Sequence, residues 1–259
     1  VDLLKKNKVN AHVITRGYRG KLKGPIKVNL KKHSFKEVGD EALLLAKKTI
    51  TWVSKNKFDG AINATLDGAD LIILDDGLQN YSLHQDLKII LVDGDFGFGN
   101  KLLLPAGPLR ETINNGVKKS DLLIINNKDD CLLKKSMGNK ILTLHTNTKI
   151  VNFEKLKNKK VVAFAGLGRS EKFYNSLLKN NINVVKFFSY PDHYSFKEGE
   201  LKKIILYAKK NNAIIASTFK DKQRINSKFK KKIIFIDIRS EIQEKGKLIN
   251  ILKQKNCIN

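Results

Sequence analysis

The sequence predicts an α/β fold built on a largely parallel sheet. Short apolar stretches alternate along the chain with amphipathic stretches of helical period, which is the pattern of repeated strand–helix units. The longest apolar runs, such as Leu71–Leu74 and Ile89–Val92, have the length of strands, whereas a membrane-spanning helix needs about 20 apolar residues. With 41% hydrophobic and 29% charged residues in 259, the composition is that of a folded globular protein.

The positions of the elements follow from where apolar residues cluster. In the first part of the chain, strands are predicted at 11–14, 69–74, 88–92 and 121–125. Glu41–Val53 is rich in leucine and alanine and is predicted to form a helix. In the second part, strands are predicted at 161–165, 184–188, 213–216 and 233–236, and helices at 172–178 and 200–210.

A polar stretch divides the two series of elements. Asn147–Lys160 has few apolar residues and is predicted to be a connector. The chain is therefore predicted to have a larger domain, residues 1–150, and a smaller C-terminal α/β domain, residues 151–259.

The charge is strongly basic, with 50 Lys and Arg against 25 Asp and Glu and a formal net charge of +25. Such a charge attracts nucleic acid, anionic bilayers or phosphorylated substrates. The lysines are spread along the whole chain and no basic cluster is interleaved with aromatic residues, as a base-stacking surface would require. The charge therefore favours an anionic membrane surface over nucleic acid. Cys131 and Cys257 are isolated, which excludes a cysteine-based zinc site and suits a reducing cytoplasm.

Ligands of parallel α/β sheets bind beyond the carboxyl ends of the strands, so the residues that follow each strand are the candidates for a site. Asp75 and Asp76 follow an apolar strand, where carboxylates can hold Mg²⁺ against nucleotide phosphates. An ordinary Asp-Gly turn explains these two residues about equally well.

Two further candidates have simple structural explanations as well. Asp40 and Glu41 precede an apolar helix, where acids cap the helix and interact with its dipole, but an aspartate there could also serve as a general base. His193 lies in a loop between an acid and an aromatic residue and could titrate near neutral pH, although most loop histidines are simply solvated.

The segment Gly94–Glu111 is rich in glycine and proline and is predicted to form a shaped loop. Its Arg110 carries a planar guanidinium suited to phosphate, although a long structural connection is also possible. The segment 166–171 resembles a dinucleotide-binding fingerprint, but Glu171 replaces its third glycine and its charge would face a pyrophosphate. NAD binding is therefore rejected.

Taken together and in order, several motifs resemble the lipid A 4'-kinase family, the tetraacyldisaccharide 4'-kinases. The similarity extends from about residue 11 to 225, and the two most distinctive strings are Asp75–Asn80 and Pro105–Glu111. The matching segments are Thr15–Tyr18, Val38–Glu41, Asp75–Asn80, Leu103–Glu111, Phe164–Gly168, Pro191–Tyr194 and Thr218–Asp221.

The resemblance implies a P-loop-NTPase-like, mostly parallel sheet with helices on both faces. It also implies ATP- and Mg²⁺-dependent phosphorylation of the 4'-hydroxyl of an acylated glucosamine disaccharide 1-phosphate in lipid A biosynthesis. On this likeness the protein binds peripherally to the cytoplasmic face of the bacterial inner membrane.

The resemblance also assigns roles to residues. Asp40 is implied to be the catalytic base, paired with His193 from the second domain, and Asp75 and Asp76 are implied to lie at the metal and the phosphates. The residues implied to hold the substrate or the transferring phosphate are Arg16, Tyr18, Glu41, Gln79, Arg110 and Glu111. The sequence departs from the family pattern at Arg19, Ala42 and Phe219, where glycine, proline and glutamate are usual.

Similar proteins begin with a membrane-associating segment, a strand and a phosphate-binding loop before the Thr15–Tyr18 motif. These 259 residues contain no Gly-x-x-x-x-Gly-Lys-Ser/Thr, and Val1–Asn7 resembles the end of the helix that follows that loop. The chain by itself is therefore expected to bind ATP poorly and to turn over little. Two alternatives stay open: an inactive remnant of such a kinase and, less favoured, a basic nucleic-acid-binding protein.

Overall fold

A computed structural model of the chain describes residues 1–127, 133 and 141–258. Cys131 lies outside the described residues. The helices are α1 (Asp2–Lys6), α2 (Phe35–Val38), α3 (Asp40–Ala46), α4 (Lys57–Leu66), α5 (Ile113–Lys118), α6 (Ser170–Lys179), α7 (Glu198–Lys210), α8 (Phe219–Lys222), α9 (Ser227–Lys230) and α10 (Lys245–Gln254). The strands are β1 (Ala11–Thr15), β2 (Ile26–Lys27), β3 (Thr51–Val53), β4 (Leu71–Leu74), β5 (Ile89–Asp93), β6 (Leu122–Asn126), β7 (Leu142–Val151), β8 (Lys160–Gly166), β9 (Asn183–Tyr190), β10 (Ile214–Thr218) and β11 (Ile234–Ile242).

Within the described part of the chain, the strands form a four-stranded sheet of order β2-β3-β1-β4 and a seven-stranded sheet of order β5-β6-β7-β11-β10-β8-β9. In the first sheet, β1 pairs in parallel with both β3 and β4. In the second sheet the pairing is parallel except between β7 and β11. The predicted α/β class with a mostly parallel sheet is confirmed.

The second sheet runs across the predicted domain boundary at residue 150. Strand β7 ends at Val151 and pairs with β11 over six residues, from Thr146–Ile242 to Val151–Asp237. Strands β5, β6 and β7 therefore belong to the same hydrogen-bonded sheet as the C-terminal strands. The division of the chain into two domains at residue 150 stays a prediction.

Two element predictions were wrong. The helix predicted at Glu41–Val53 ends at Ala46, and Thr51–Val53 forms β3. These three residues are all buried and pair with β1, which is the environment that β-branched and aromatic side chains favour. The predicted connector Asn147–Lys160 is a strand as far as Val151, because β11 supplies partners for its backbone.

The second sheet has apolar residues on both faces, as a central parallel strand requires. Val161–Gly166 of β8 are all buried. On one face, Phe164 packs with Leu201 and Ile204 of α7. On the other, Ala163 packs with Phe173 and Leu177 of α6. Helices therefore cover both faces of this sheet.

The C-terminal helix α10 connects the two sheets. Its Leu252 packs against the cluster of Leu4 and Ala11 beside the first sheet, and also against the cluster of Leu122 and Leu144 of the second. Loops from both sheets also meet directly: Arg19, just after β1, donates from Nη1 to the carbonyl of Asp192, which follows β9, at 3.0 Å. Among the described residues, no helix is both long and apolar enough to cross a membrane.

Candidate active site

Asp75 and Asp76 lie at the carboxyl end of β4, next to the end of β1. Because β1 and β4 are adjacent parallel strands, their last residues face each other at one edge of the sheet. Thr15 Oγ1, at the end of β1, donates to Asp75 Oδ2 at 2.8 Å. Asp76 has a φ of 54°, in the left-handed region, and its Oδ2 accepts from Arg110 Nη1 at 2.7 Å. The strand therefore ends in two carboxylates that have different partners.

Lys57 is a buried cation beneath this edge and is not among the residues predicted from the sequence. Its Nζ donates to the carbonyls of Ile14 at 2.9 Å and of Asp75 at 2.7 Å, so one ammonium joins the ends of β1 and β4. Burial lowers the pKa of Lys57 to about 8, against the opposing charges of Asp75 and Asp76. Lys57 is the first residue of α4, and in the sequence nothing distinguishes it from the many other lysines.

Gln79 and Glu111 form a second polar cluster beside the first. Glu111 Oε1 accepts from Gln79 Nε2 at 2.7 Å and from Lys119 Nζ at 2.7 Å. Burial opposes ionisation of Glu111, but the bonds from Lys119 and Gln79 outweigh it and lower the pKa of this carboxyl. The cluster joins the loop after β4 to the loop after β5, so Arg110 and Glu111 are held next to Asp76 and Gln79.

Asp40 and His193 form the central pair of the site. Asp40 is the first residue of α3 and is buried. It follows Gly39, whose φ is 85° and whose position leaves no room for a Cβ, since that atom would lie 2.6 Å from the Tyr18 carbonyl oxygen. The close approach of Gly39 brings Asp40 to the end of β1. His193 follows β9 and places its Nδ1 3.0 Å from Asp40 Oδ2.

Arg224 lies behind this pair and is a second site residue that was not predicted from the sequence. It is buried, and its Nε lies 3.4 Å from Asp40 Oδ2. Its Nη2 donates to Asp221 Oδ1 at 2.6 Å and to the Gly166 carbonyl at 3.0 Å. The signal available in the sequence was the Thr218–Asp221 motif, in which Thr218 caps α8 and also binds Asp221.

Asp221 anchors this network from the second sheet. Its Oδ1 accepts from the backbone N–H of Gly166 at 3.1 Å, and its Oδ2 accepts from Thr218 Oγ1 at 2.7 Å. Burial raises the pKa of Asp221, although Thr218, Arg224 and the backbone N–H of Gly166 all favour its charged form. A chain of contacts thus runs from β8 and β10 through Asp221 and Arg224 to Asp40.

Of the remaining predicted residues, Glu41 and Tyr18 lie around the Asp40–His193 pair, and Arg16 lies near Lys57. Glu41 Oε1 lies 3.1 Å from Lys220 Nζ, which is also 3.5 Å from His193 Nε2. The ring of Tyr18 meets that of His193 edge-on, with centroids 5.5 Å apart. Arg16 follows β1 directly, is exposed, and lies near enough to Lys57 for its charge to lower the pKa of that lysine.

The structure therefore brings the predicted residues together in two groups. Asp75, Asp76 and Arg110, with Gln79 and Glu111 beside them, lie on the β4 side of the end of β1. Asp40 and His193, with Glu41 and Tyr18 beside them, lie on its other side. In the described residues, no group of three or more His, Cys, Asp or Glu side chains could hold a metal ion by itself.

The fold and the site together define an α/β protein with carboxylates at the ends of parallel strands, which is the arrangement in which kinases of the P-loop fold hold Mg²⁺ and nucleotide phosphates. A sequence model of the tetraacyldisaccharide-1-P 4'-kinase (LpxK) family matches residues 1–256. The chain belongs to this family.

Individual relatives agree with this assignment. The chain is 39% identical over 233 residues to the tetraacyldisaccharide 4'-kinase of Paramagnetospirillum magneticum, covering 89% of this chain and 71% of that protein. It is 36% identical over 250 residues to that of Rhodospirillum rubrum, covering 94% and 75%. A crystal structure described as the "apo" form of LpxK from Aquifex aeolicus in complex with ATP matches with a TM-score of 0.76 at 27% identity, over 98% of this chain and 81% of that one.

Proposed function

We propose that this protein phosphorylates the 4'-hydroxyl of an acylated glucosamine disaccharide 1-phosphate with ATP. The observation that carries the proposal is the Asp40–His193 pair. Asp40 comes from a helix beside the first sheet and His193 from the loop after a strand of the second, and the two side chains meet. Phosphoryl transfer to a hydroxyl depends mainly on positioning and on charge neutralisation, with a base to orient the attacking group. The relatives named as tetraacyldisaccharide 4'-kinases support the choice of acceptor.

In this proposal Asp40 is the catalytic base. Its carboxylate accepts the proton of the 4'-hydroxyl as the oxygen attacks the γ-phosphorus of ATP, and the bond from that phosphorus to the β–γ bridging oxygen breaks. His193 Nδ1 lies within hydrogen-bonding distance of both carboxylate oxygens, and the buried Arg224 lies against Oδ2. With two partners fixing it, Asp40 needs little reorganisation when the acceptor arrives.

The residues present fit a Mg²⁺ ion carried with ATP. Asp75 and Asp76 supply hard oxygen ligands, and Mg²⁺ in kinases is usually held by one or two carboxylates together with phosphate oxygens and water. Two carboxylates suffice for such a site, where an all-protein cage would need more. When bound, the ion would neutralise charge that develops on the transferring phosphate. Lys57 would keep the Asp75 backbone in place beneath it.

The proposal also assigns the acceptor side of the site. Arg110, half-exposed beside Asp76, and Arg16, exposed after β1, supply guanidinium groups for phosphate oxygens. The sugar hydroxyls would be positioned by the other polar residues of the two groups, which are Tyr18, Glu41, Gln79 and Glu111. The net charge of +25 favours a peripheral position on an anionic membrane, which we place at the cytoplasmic face of the inner membrane.

The test replaces Asp40 by asparagine in the full-length protein. The carboxamide keeps the shape of the side chain and cannot accept the proton, so we expect phosphate transfer to fall by about 10²–10⁴-fold. Binding of ATP should change little. Transfer from radiolabelled ATP to the acylated disaccharide 1-phosphate and equilibrium binding of ATP are the two measurements.

Asp70→Asn is the matched control. Asp70 immediately precedes β4 and lies at the edge of the first sheet opposite to Asp75. Its Oδ2 accepts from the backbone N–H of Asn10 at 2.8 Å. This variant should retain turnover. Undiminished transfer by Asp40→Asn would remove Asp40 from the mechanism, and absence of transfer by the unmodified protein would favour the inactive remnant.

A further inference from the structure

The loop after β5 presents three consecutive leucines to solvent. Leu102, Leu103 and Leu104 are 51%, 44% and 62% exposed, and Phe96 in the same loop is 47% exposed. Single exposed apolar residues are common on protein surfaces, but a contiguous apolar group on one loop indicates an interaction site. We call Leu102–Leu104 the leucine loop.

The leucine loop is held in this exposed conformation by its own hydrogen bonds. Leu104 N–H donates to the Leu109 carbonyl at 2.8 Å, and Leu109 N–H donates to the Leu102 carbonyl at 3.1 Å. Asn100 Nδ2 donates to the Ala106 carbonyl at 2.9 Å. Gly107 packs so closely that a Cβ there would lie 2.4 Å from the Leu102 carbonyl oxygen. These contacts define a backbone conformation in which the three leucine side chains are exposed.

The charges around the leucine loop suit an anionic surface. Lys101 immediately precedes it and is exposed. The acidic residues nearby have basic partners: Asp95 Oδ2 lies 3.0 Å from Lys172 Nζ, and Asp93 binds the same ammonium and, at 3.4 Å, Arg169. Leucines flanked by a lysine are the arrangement in which apolar side chains enter a bilayer while the ammonium stays among the headgroups.

The leucine loop lies close to the site along the chain. Arg110 follows the loop by six residues and binds Asp76 at 2.7 Å, so the leucines lie on the same edge of the molecule as the proposed catalytic groups. An acylated sugar keeps its hydroxyls at the membrane surface and its chains below it. Entry of the leucines into the acyl region would therefore bring the proposed catalytic groups to the depth of the acceptor's sugar.

We propose that the leucine loop is a membrane-docking surface that inserts into the outer acyl region of an anionic bilayer and brings the active site to its lipid acceptor. This inference rests on the proposed function, because a lipid acceptor is the reason for the active site to approach a bilayer. Docking itself requires neither ATP nor acceptor, so it can be tested separately.

The experiment measures cosedimentation of the whole protein with vesicles of phosphatidylcholine and phosphatidylglycerol, without ATP or acceptor. The double variant Leu102→Ser and Leu104→Ser should bind at least about tenfold more weakly, because two leucines no longer leave water. The matched control is Leu66→Ser, which removes an 82% exposed leucine from the end of α4, at the opposite edge of the first sheet. This control should bind as the unmodified protein does.

Direct insertion can be observed with Leu103→Trp. The chain has one tryptophan, Trp52, which is 8% exposed. The fluorescence emission of a new indole in the leucine loop should shift to shorter wavelength when the protein binds vesicles. Brominated acyl chains should quench this emission. Asp40→Asn should bind vesicles normally, so a failure of the proposed chemistry leaves this result intact.

Two results would overturn the proposal. One is equal vesicle binding by the unmodified protein and the double leucine variant, or no binding by either. The other is a dimer of the unmodified protein in vesicle-free buffer that the double variant dissociates, which would make the leucine loop a surface for a second copy of the chain.

Discussion

His193 Nδ1 lies 3.0 Å from Asp40 Oδ2, although 153 residues separate them in the sequence. Asp40 begins a helix beside the first sheet, and His193 follows a strand of the second. The pair therefore exists only when the two sheets are correctly packed. Arg19, Lys220 and Arg224 make further contacts across the same junction.

If Asp40 and His193 act as a unit, their substitutions should not be additive. We expect Asp40→Asn and His193→Ala each to reduce kcat, and the double variant to lose little more than Asp40→Asn alone. Steady-state kinetics of the four proteins checks this. His84→Ala, which removes an exposed histidine, should leave kcat unchanged. A double variant whose loss equals the product of the two single losses would show that the residues act independently.

Arg224→Ala should destabilise the protein strongly. It removes a buried guanidinium from Asp221 and Asp40, both of which are also buried. Breaking a buried ion pair costs about 3–5 kcal/mol of the free energy of unfolding, because a charge is left without its partner. Chemical denaturation measures this loss.

The control for Arg224 is Arg239→Ala, which removes the half-exposed partner of Asp237. This substitution should cost no more than about 1 kcal/mol. Arg224→Lys distinguishes positioning from packing, since lysine restores the charge without the planar fork. If it recovers stability but not kcat, the guanidinium positions Asp40. Equal losses of stability in Arg224→Ala and Arg239→Ala would contradict the prediction.

Lys57 should make stability depend on pH on the alkaline side. Its pKa falls from 10.5 to about 8 on folding, so between these values the folded state binds fewer protons than the unfolded state. Stability therefore rises as pH increases through this window, and below pH 8 the cost of burying the charge is fully present. The shift corresponds to a change of about 3 kcal/mol.

The measurement compares the free energy of unfolding of the unmodified protein with that of Lys57→Met at several pH values, in EDTA. The difference between the two proteins should move in favour of the unmodified protein from pH 8 to 10.5, since the other lysines contribute equally to both. A difference that stays constant over this range would mean that Lys57 keeps an ordinary pKa.

Gly107→Ala should distort the loop that carries Arg110. A Cβ at this position would lie 2.2 Å from Asn100 Oδ1 and 2.4 Å from the Leu102 carbonyl oxygen, so the backbone must shift. We expect a loss of about 1–3 kcal/mol in stability and a higher KM for the acceptor. Gly199→Ala is the control, because a Cβ there meets nothing within 4 Å. Equal thermal stability of the two variants would show that the loop accommodates the methyl group.

Local patterns in the sequence were sufficient for the α/β class and for the placement of Asp75 and Asp76 at the end of a strand. Both can be predicted because they depend only on the spacing of apolar residues within a few positions of the sequence. The prediction of a helix at Thr51–Val53 was wrong, because three residues that follow a leucine-rich helix are too few to show the alternating pattern of a strand. Their pairing with β1 made them a strand.

The pairing of Asp40 with His193 was expected only from a family resemblance, since each residue alone also has an ordinary explanation as a helix cap or a loop side chain. Lys57 was not identified, because one lysine among 50 basic residues carries no local signal. Arg224 was not identified either, since the nearby Thr218–Asp221 motif does not indicate which basic side chain is buried against Asp221. The sequence by itself thus determined the class of fold and the strand-end carboxylates. Only the tertiary structure decided which charges are buried together, since burial and ion pairing depend on contacts between segments far apart in the chain.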